Sequence, residues 1–327
     1  MDKKRIVVIC PGRGSYTRET TNYITKRRNL EMLDWMDNQR LKKSLISISE
    51  LDAMPFKSKI HMVGENASPL IYACSLFDFQ NINKNNYDIV AIVGNSMGWY
   101  TALALAGAIN LSNGYQLIET MGSLMKTNII GGQIIYPIIN DNWSIDNKLK
   151  KMVHNIIEAE NAFVSIYLGG YVVIGGEVDV LEKLIRLLPK KDKFPLLLPF
   201  HGAFHTPLMN SISKKALKTI DRAIFKKPVI NLIDGRGKVW TPYSTNIDDL
   251  IDYTLNKQVV QPFDFTTTLT VCIKEFAPEK IFLLGPGNSL GGAVAQILIK
   301  NNWKGISSKE RFKELQDKNS FVISMGA

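Results

Sequence analysis

Three short runs constrain this chain more than anything else in it: RIVVIC (5–10), YDIVAIVG (87–94) and KIFLLGPG (280–287). Each is too uniformly apolar to have one face in water, which is how strands of a parallel sheet read. Each also runs into a glycine-containing turn: CPGRGSY, VGNSMGWY and LGPGNSLGG. Parallel neighbours put their carboxyl ends on one edge of the sheet, and in open α/β sheets that edge is where ligands sit. The three turns are therefore expected to converge, and the fold class is α/β.

The segments between the strands carry helical periodicity, beginning with charged helical stretches within 19–54. ASPLIYACSLFDFQNI (67–82) reads as a buried helix with a Ser-Pro start. MGWYTALALAGAINL follows the second strand as a helix of small residues, and 114–128 as another. From about residue 130 the texture changes. GGQIIYPII (131–139) predicts a strand, 145–159 a helix, and 162–177 a hairpin turning at Gly169-Gly170. A helix (178–188) and a strand over KFPLLLPF (193–200) complete a β-α-β-β-α-β order, as in a ferredoxin-like insert. The chain then returns to helix (207–223), strand (228–233), helices (246–256 and 262–276) and the strand at 280–287. This predicts an α/β core carrying a small α+β subdomain.

A length of 327 residues suffices for a large core, and 45% apolar with 21% charged residues is a globular composition. No apolar run approaches the ~20 residues of a membrane span. The basic start MDKKRIVVIC is too short in its apolar part for a signal peptide, so a soluble, cytoplasmic protein is expected. The formal charge of +10 is scattered, with clusters at Lys3-Lys4-Arg5, Lys190-Lys191 and Lys226-Lys227. It lacks the aromatic-interleaved stripe of a nucleic-acid binder. A solvated surface and an acidic protein partner both remain open. Cys10, Cys74 and Cys272 are odd in number and far apart, which predicts buried thiols and neither a disulfide framework nor a metal site.

Within VGNSMGWY, Ser96 stands between Gly94 and Gly98 where a strand gives way to a helix. A strained elbow there lifts the hydroxyl to the sheet edge, and the following helix aims its N–H groups at the same place. The alternative is an ordinary tight turn that contains a serine. A nucleophilic serine needs a base. Of four histidines, His201 and His205 share LLLPFHGAFHTPLM, and either fits. His61 and His154 lie in polar surroundings and are expected at the surface.

With these residues in hand, the chain resembles the malonyl-CoA:acyl carrier protein transacylase family, which also supplies acyltransferase domains to fatty-acid and polyketide synthases. The family's PGQGSQ-like turn is matched by Pro11 to Tyr16 and its GHSxGE elbow by Gly94 to Trp99. A YxAL…AGA helix is matched by Tyr100 to Leu103 and Ala106 to Ala108, the GAFHTPLM segment by Gly202 to Met209, and the GPG turn by Gly285 to Gly287. The resemblance implies a hydrolase-like large domain (1–128 and 198–327) with a ferredoxin-like small subdomain (129–197). It implies Ser96 as the acylated nucleophile and His205 as its base, oriented by the main-chain carbonyl of Gln258. The oxyanion hole would be the main-chain N–H groups of Met97 and Arg13. The substrates would be acyl groups on coenzyme A or on the phosphopantetheine of an acyl carrier protein, with no cofactor bound and no nucleic acid or membrane involved.

The departures cluster at the expected acyl pocket, to which Met121, Asn95, Trp99, His201 and Tyr167 are assigned. Met121 stands where the family carries the arginine that clamps malonyl carboxylates. A thioether wall offers a carboxylate no charge-assisted partner. An uncharged acyl group, acetyl or larger, is therefore expected over malonyl. Asn95 and Trp99 replace the family's His and Glu, and Ser165 and Tyr167 stand in the hairpin segment. Three alternatives stay open: hydrolysis of the acyl thioester, malonyl transfer with the charge moved to Arg13, and a silent docking module for a carrier protein.

Overall fold

The computed structural model describes residues 2–25, 31–124 and 129–326. Six strands form the main sheet: β1 (Lys4–Cys10), β2 (Tyr87–Gly94), β7 (Leu232–Ile233), β8 (Val239–Trp240), β10 (Lys280–Leu283) and β11 (Val322–Ser324), in the order β11-β10-β1-β2-β7-β8. All pairings are parallel except β7 with β8. Ile6, Val7, Val8 and Ile9 are fully buried, so both faces of β1 are covered, as its unbroken apolar run predicts. Because β10, β1 and β2 are adjacent, the three turns do share one edge. A Cβ on Gly12 would sit 2.7 Å from the Asn95 carbonyl oxygen, and one on Gly287 3.2 Å from that of Ser15. The first turn is thus wedged between the other two.

The second sheet comprises β3 (Gly132–Pro137), β4 (Phe163–Leu168), β5 (Tyr171–Gly176), β6 (Leu196–Leu197) and β9 (Phe263–Asp264), ordered β6-β3-β5-β4-β9. Its first four strands carry the β-α-β-β-α-β connection, with β3–β5, β3–β6 and β4–β5 antiparallel. The period of two shows in packing. Val172 and Ile174 join a small core with Val153, Ile157, Leu181 and Leu184 of the two helices, while Val173 faces the main core.

Several boundaries differ from the sequence reading, each for a local reason. The strand expected over 193–200 shrinks to the exposed pair Leu196–Leu197, because Pro195 and Pro199 bracket it and cannot donate to a ladder. The helix expected to start at Ser-Pro begins at Gly64 and runs to Gln80, with Pro69 inside it. Proline removes the N–H that would bond the Glu65 carbonyl. Nη1 of the buried Arg40 donates to that carbonyl instead, at 2.9 Å. The helix expected over 114–128 is Leu111–Ser123, and residues 125–128 lie outside the described residues. All three cysteines are buried and free.

Candidate active site

The elbow is tight by necessity. A Cβ on Gly94 would fall 2.0 Å from the Gly98 carbonyl carbon, and one on Gly98 2.3 Å from the Cys10 carbonyl oxygen. Only hydrogen fits at either place. Between them Ser96 adopts φ +55°, the left-handed region that costs a side-chain-bearing residue on the order of 1–3 kcal/mol. Hydrogen bonds from Asn95 N to Cys10 O (3.1 Å) and from Gly98 N to Asn95 O (2.9 Å) hold it there. The helix Gly98–Leu105 starts immediately after.

His205 has the same unusual backbone, φ +60°, and its N–H donates to Val259 O at 2.9 Å. Its Nε2 lies 2.7 Å from Ser96 Oγ, and its Nδ1 lies 2.5 Å from Gln258 O. A carbonyl can only accept, so Nδ1 carries the proton and Nε2 presents its lone pair to the serine hydroxyl. Sequence explains why the Gln258 carbonyl is available. The helical run through Gln258–Val260 ends there, and the residue four positions on, Pro262, has no N–H to offer. A π-helical turn, Tyr253–Lys257, precedes it. The Gln258 side chain closes the arrangement: Nε2 donates to the Ser96 carbonyl (3.1 Å), and Oε1 accepts from the Tyr100 hydroxyl (3.0 Å).

His205 is 2% exposed, and burial lowers its pKa from 6.5 to about 4, with the Gln258 carbonyl opposing part of that shift. Its imidazole is therefore neutral at neutral pH, the state a general base requires. The main-chain N–H groups of Met97 and Arg13 find no acceptor among the described residues, and both residues border the cavity that holds Ser96. Two free donors beside a serine hydroxyl suit an oxyanion.

That cavity is bordered by Ser96, His205, Gln258, Met97, Arg13 and Met121, together with Ser68, Tyr100, Ile118, Gly122 and Phe204. The sequence reading did not single out these last five. Tyr100 and Phe204 fall inside motifs already quoted, whereas Ser68, Ile118 and Gly122 arrive from two helices with no local signal.

Four assignments to the acyl pocket are corrected. Trp99 is fully buried and turned away, its indole N–H donating to Thr254 Oγ1 at 3.0 Å and its ring edge-on to Tyr253. It braces the π-helical turn that leads into Gln258. Tyr167 stacks on His154. Asn95 is buried against Gly12 and is not among the residues bordering the cavity. His201 sits in the adjoining loop, its Nδ1 2.9 Å from Gln133 Oε1, while Ser165 Oγ donates to Phe204 O at 2.8 Å. The small sheet thereby positions the loop that presents His205. His61 is also corrected: it is buried, not at the surface, stacked on Tyr16 and Phe56 with Nε2 2.9 Å from Leu51 O. Long-range packing at these positions overrides the polar local sequence.

The Arg13 guanidinium donates through Nη2 to Met62 O (3.0 Å) and Phe200 O (2.7 Å). Its Nε–H is buried without an acceptor, no carboxylate pairs with it among the described residues, and burial lowers its pKa to about 10. No helix among the described residues is long and apolar enough to cross a membrane.

No protein-family model matches the chain. The malonyl CoA-acyl carrier protein transacylase of Bacillus subtilis is 24% identical over 237 residues, covering 71% of this chain and 72% of that protein. A probable polyketide synthase of Dictyostelium discoideum is 24% identical over 98% of this chain, which spans only 12% of that larger protein. The crystal structure of the Synechocystis malonyl-CoA:ACP transacylase superposes with a TM-score of 0.75 at 18% identity, over 95% of this chain and 99% of that one. That likeness establishes the fold.

Proposed function

We propose that the chain is an acyltransferase of the malonyl-CoA:acyl carrier protein transacylase family and that it works through an acyl-serine at Ser96. The single observation carrying this reading is the 2.7 Å contact between Ser96 Oγ and a buried, neutral His205 Nε2. His205 takes the hydroxyl proton as Oγ attacks the thioester carbonyl of an acyl-CoA or acyl carrier protein. The oxyanion settles between the N–H groups of Met97 and Arg13. As it collapses, the C–S bond breaks and His205 returns its proton to the leaving thiolate. In the second half-reaction a carrier-protein pantetheine thiol attacks the acyl-serine by the same route in reverse.

The acyl group we propose is one other than malonyl. Met121 borders the cavity as an apolar wall, with Ile118, Tyr100 and Phe204 beside it. A carboxylate directed at position 121 would be buried without a partner. A second reading, malonyl with its clamp moved to Arg13, is favoured by the guanidinium bordering the same cavity. Against it, both Nη2 bonds of that guanidinium are turned to Met62 O and Phe200 O.

Incubation with acetyl-CoA and intact mass spectrometry tests the proposal: an acetyl adduct forms on the native chain and is absent from Ser96→Ala. An adduct that persists in Ser96→Ala refutes it. Adding a carrier protein then separates transfer, read as acylated carrier, from hydrolysis, read as free acid. A silent docking module forms no adduct at all.

A further inference from the structure

We propose that the Arg13 side chain sets the length of acyl group the site accepts, by partitioning what would otherwise be one long trough. This rests on the acyl-serine reading. The cavity holding Ser96 adjoins a second one, and among the described residues the two share Arg13, Gly122 and Phe204. Beyond those residues its described border is Val63, Gly64, Glu65, Ile129, Phe200 and Gly202, one carboxylate in an otherwise apolar lining that suits an alkyl chain.

The partition has an uncommon construction. On one side the helices Gly64–Gln80 and Leu111–Ser123 meet backbone to backbone. A Cβ on Gly64 would lie 2.7 Å from Gly122 O, and one on Gly122 2.5 Å from Gly64 O. Neither glycine has a side chain to reach across the opening. Arg13 spans it instead. Its Nη1 lies 3.5 Å from the place a Gly64 Cβ would take, and Nη2 bridges Met62 O and Phe200 O. The side chain therefore crosses from the segment before the first helix to the loop that presents His205.

An acyl chain growing from Ser96 along Met121 and Ile118 meets this guanidinium. Alkyl carbons packed there would strip water from a cation whose partners among the described residues are neutral carbonyls, which is unfavourable. A shorter, neutral glutamine could not span the same gap. The chain thus takes short acyl groups, and loss of the guanidinium opens a route into the second cavity.

The test uses acetyl, butanoyl and octanoyl thioesters of N-acetylcysteamine, with acylation of the native chain, R13Q and R13A followed by intact mass. We expect octanoyl to acylate the native chain roughly a hundredfold more slowly than butanoyl, within the range that pocket methylenes confer. The octanoyl-to-butanoyl ratio should rise at least about tenfold in R13A and R13Q. A native chain that accepts octanoyl as readily as butanoyl overturns the proposal, and so does an unchanged ratio in both variants. If neither variant folds by circular dichroism, R13M, which keeps the length of the stem without the charge, takes their place under the same criteria. Adducts of every length on the native chain refute the partition alone; no adduct of any length refutes the acyl-serine reading and the partition with it.

Discussion

Lowering the pH tests the site through one group. Burial holds His205 at a pKa of about 4 against an ordinary 6.5. At pH 5 an imidazole with the lower value is about 90% neutral, and one with the ordinary value about 3%, a thirtyfold difference in active base. The first half-reaction should therefore keep most of its plateau rate at pH 5, its acid limb centring near pH 4. Stability moves in the same window. As pH falls below 6.5 the unfolded chain takes up a proton that folded His205 refuses until about pH 4, so stability declines between those values. The decline attributable to this residue is about 3 kcal/mol. His201, lowered well below 6.5 mainly by burial and then by Arg13, adds to it in the same direction. The assay is a pre-steady-state burst of thiol release from an acyl thioester between pH 4 and 8, with circular dichroism at each pH to verify folding. An acid limb centred at 6.5 or above, in protein that is still folded, would refute the assignment of His205 as a buried neutral base.

Gly98→Ala should lower stability by on the order of 2–4 kcal/mol and abolish acylation, because its Cβ meets a fixed backbone oxygen; urea denaturation and the acyl-adduct assay measure both. Met121→Arg should raise malonyl over acetyl acylation by about tenfold or more in direct competition, a bidentate partner having been restored; no gain would show that another group already serves a carboxylate. His205→Ala should reduce acylation on the order of a thousandfold or more, whereas His201→Ala, which loses the bond to Gln133, should slow it less and lower the melting temperature. The reverse ranking would place the base at His201.

Local sequence determines this protein where neighbours along the chain suffice. Short β-branched apolar runs that end in glycine turns read as strands covered on both faces, and they place the turns of β1, β2 and β10 on one edge. Gly94 and Gly98 can only flank an elbow, since any side chain there would collide with backbone. Pro262 likewise leaves the Gln258 carbonyl free, a local fact with a distant use. What sequence leaves open is where side chains point once remote segments meet. Trp99 directly follows Gly98 in the elbow helix yet faces Thr254, and His61 looks polar in its context yet is enclosed by Tyr16 and Phe56. Arg13 takes its partners from Met62 and Phe200, 49 and 187 residues away. Pairings at such separations come from packing the whole chain at once, so tertiary structure alone decided which side chains border the cavity and which stand behind it.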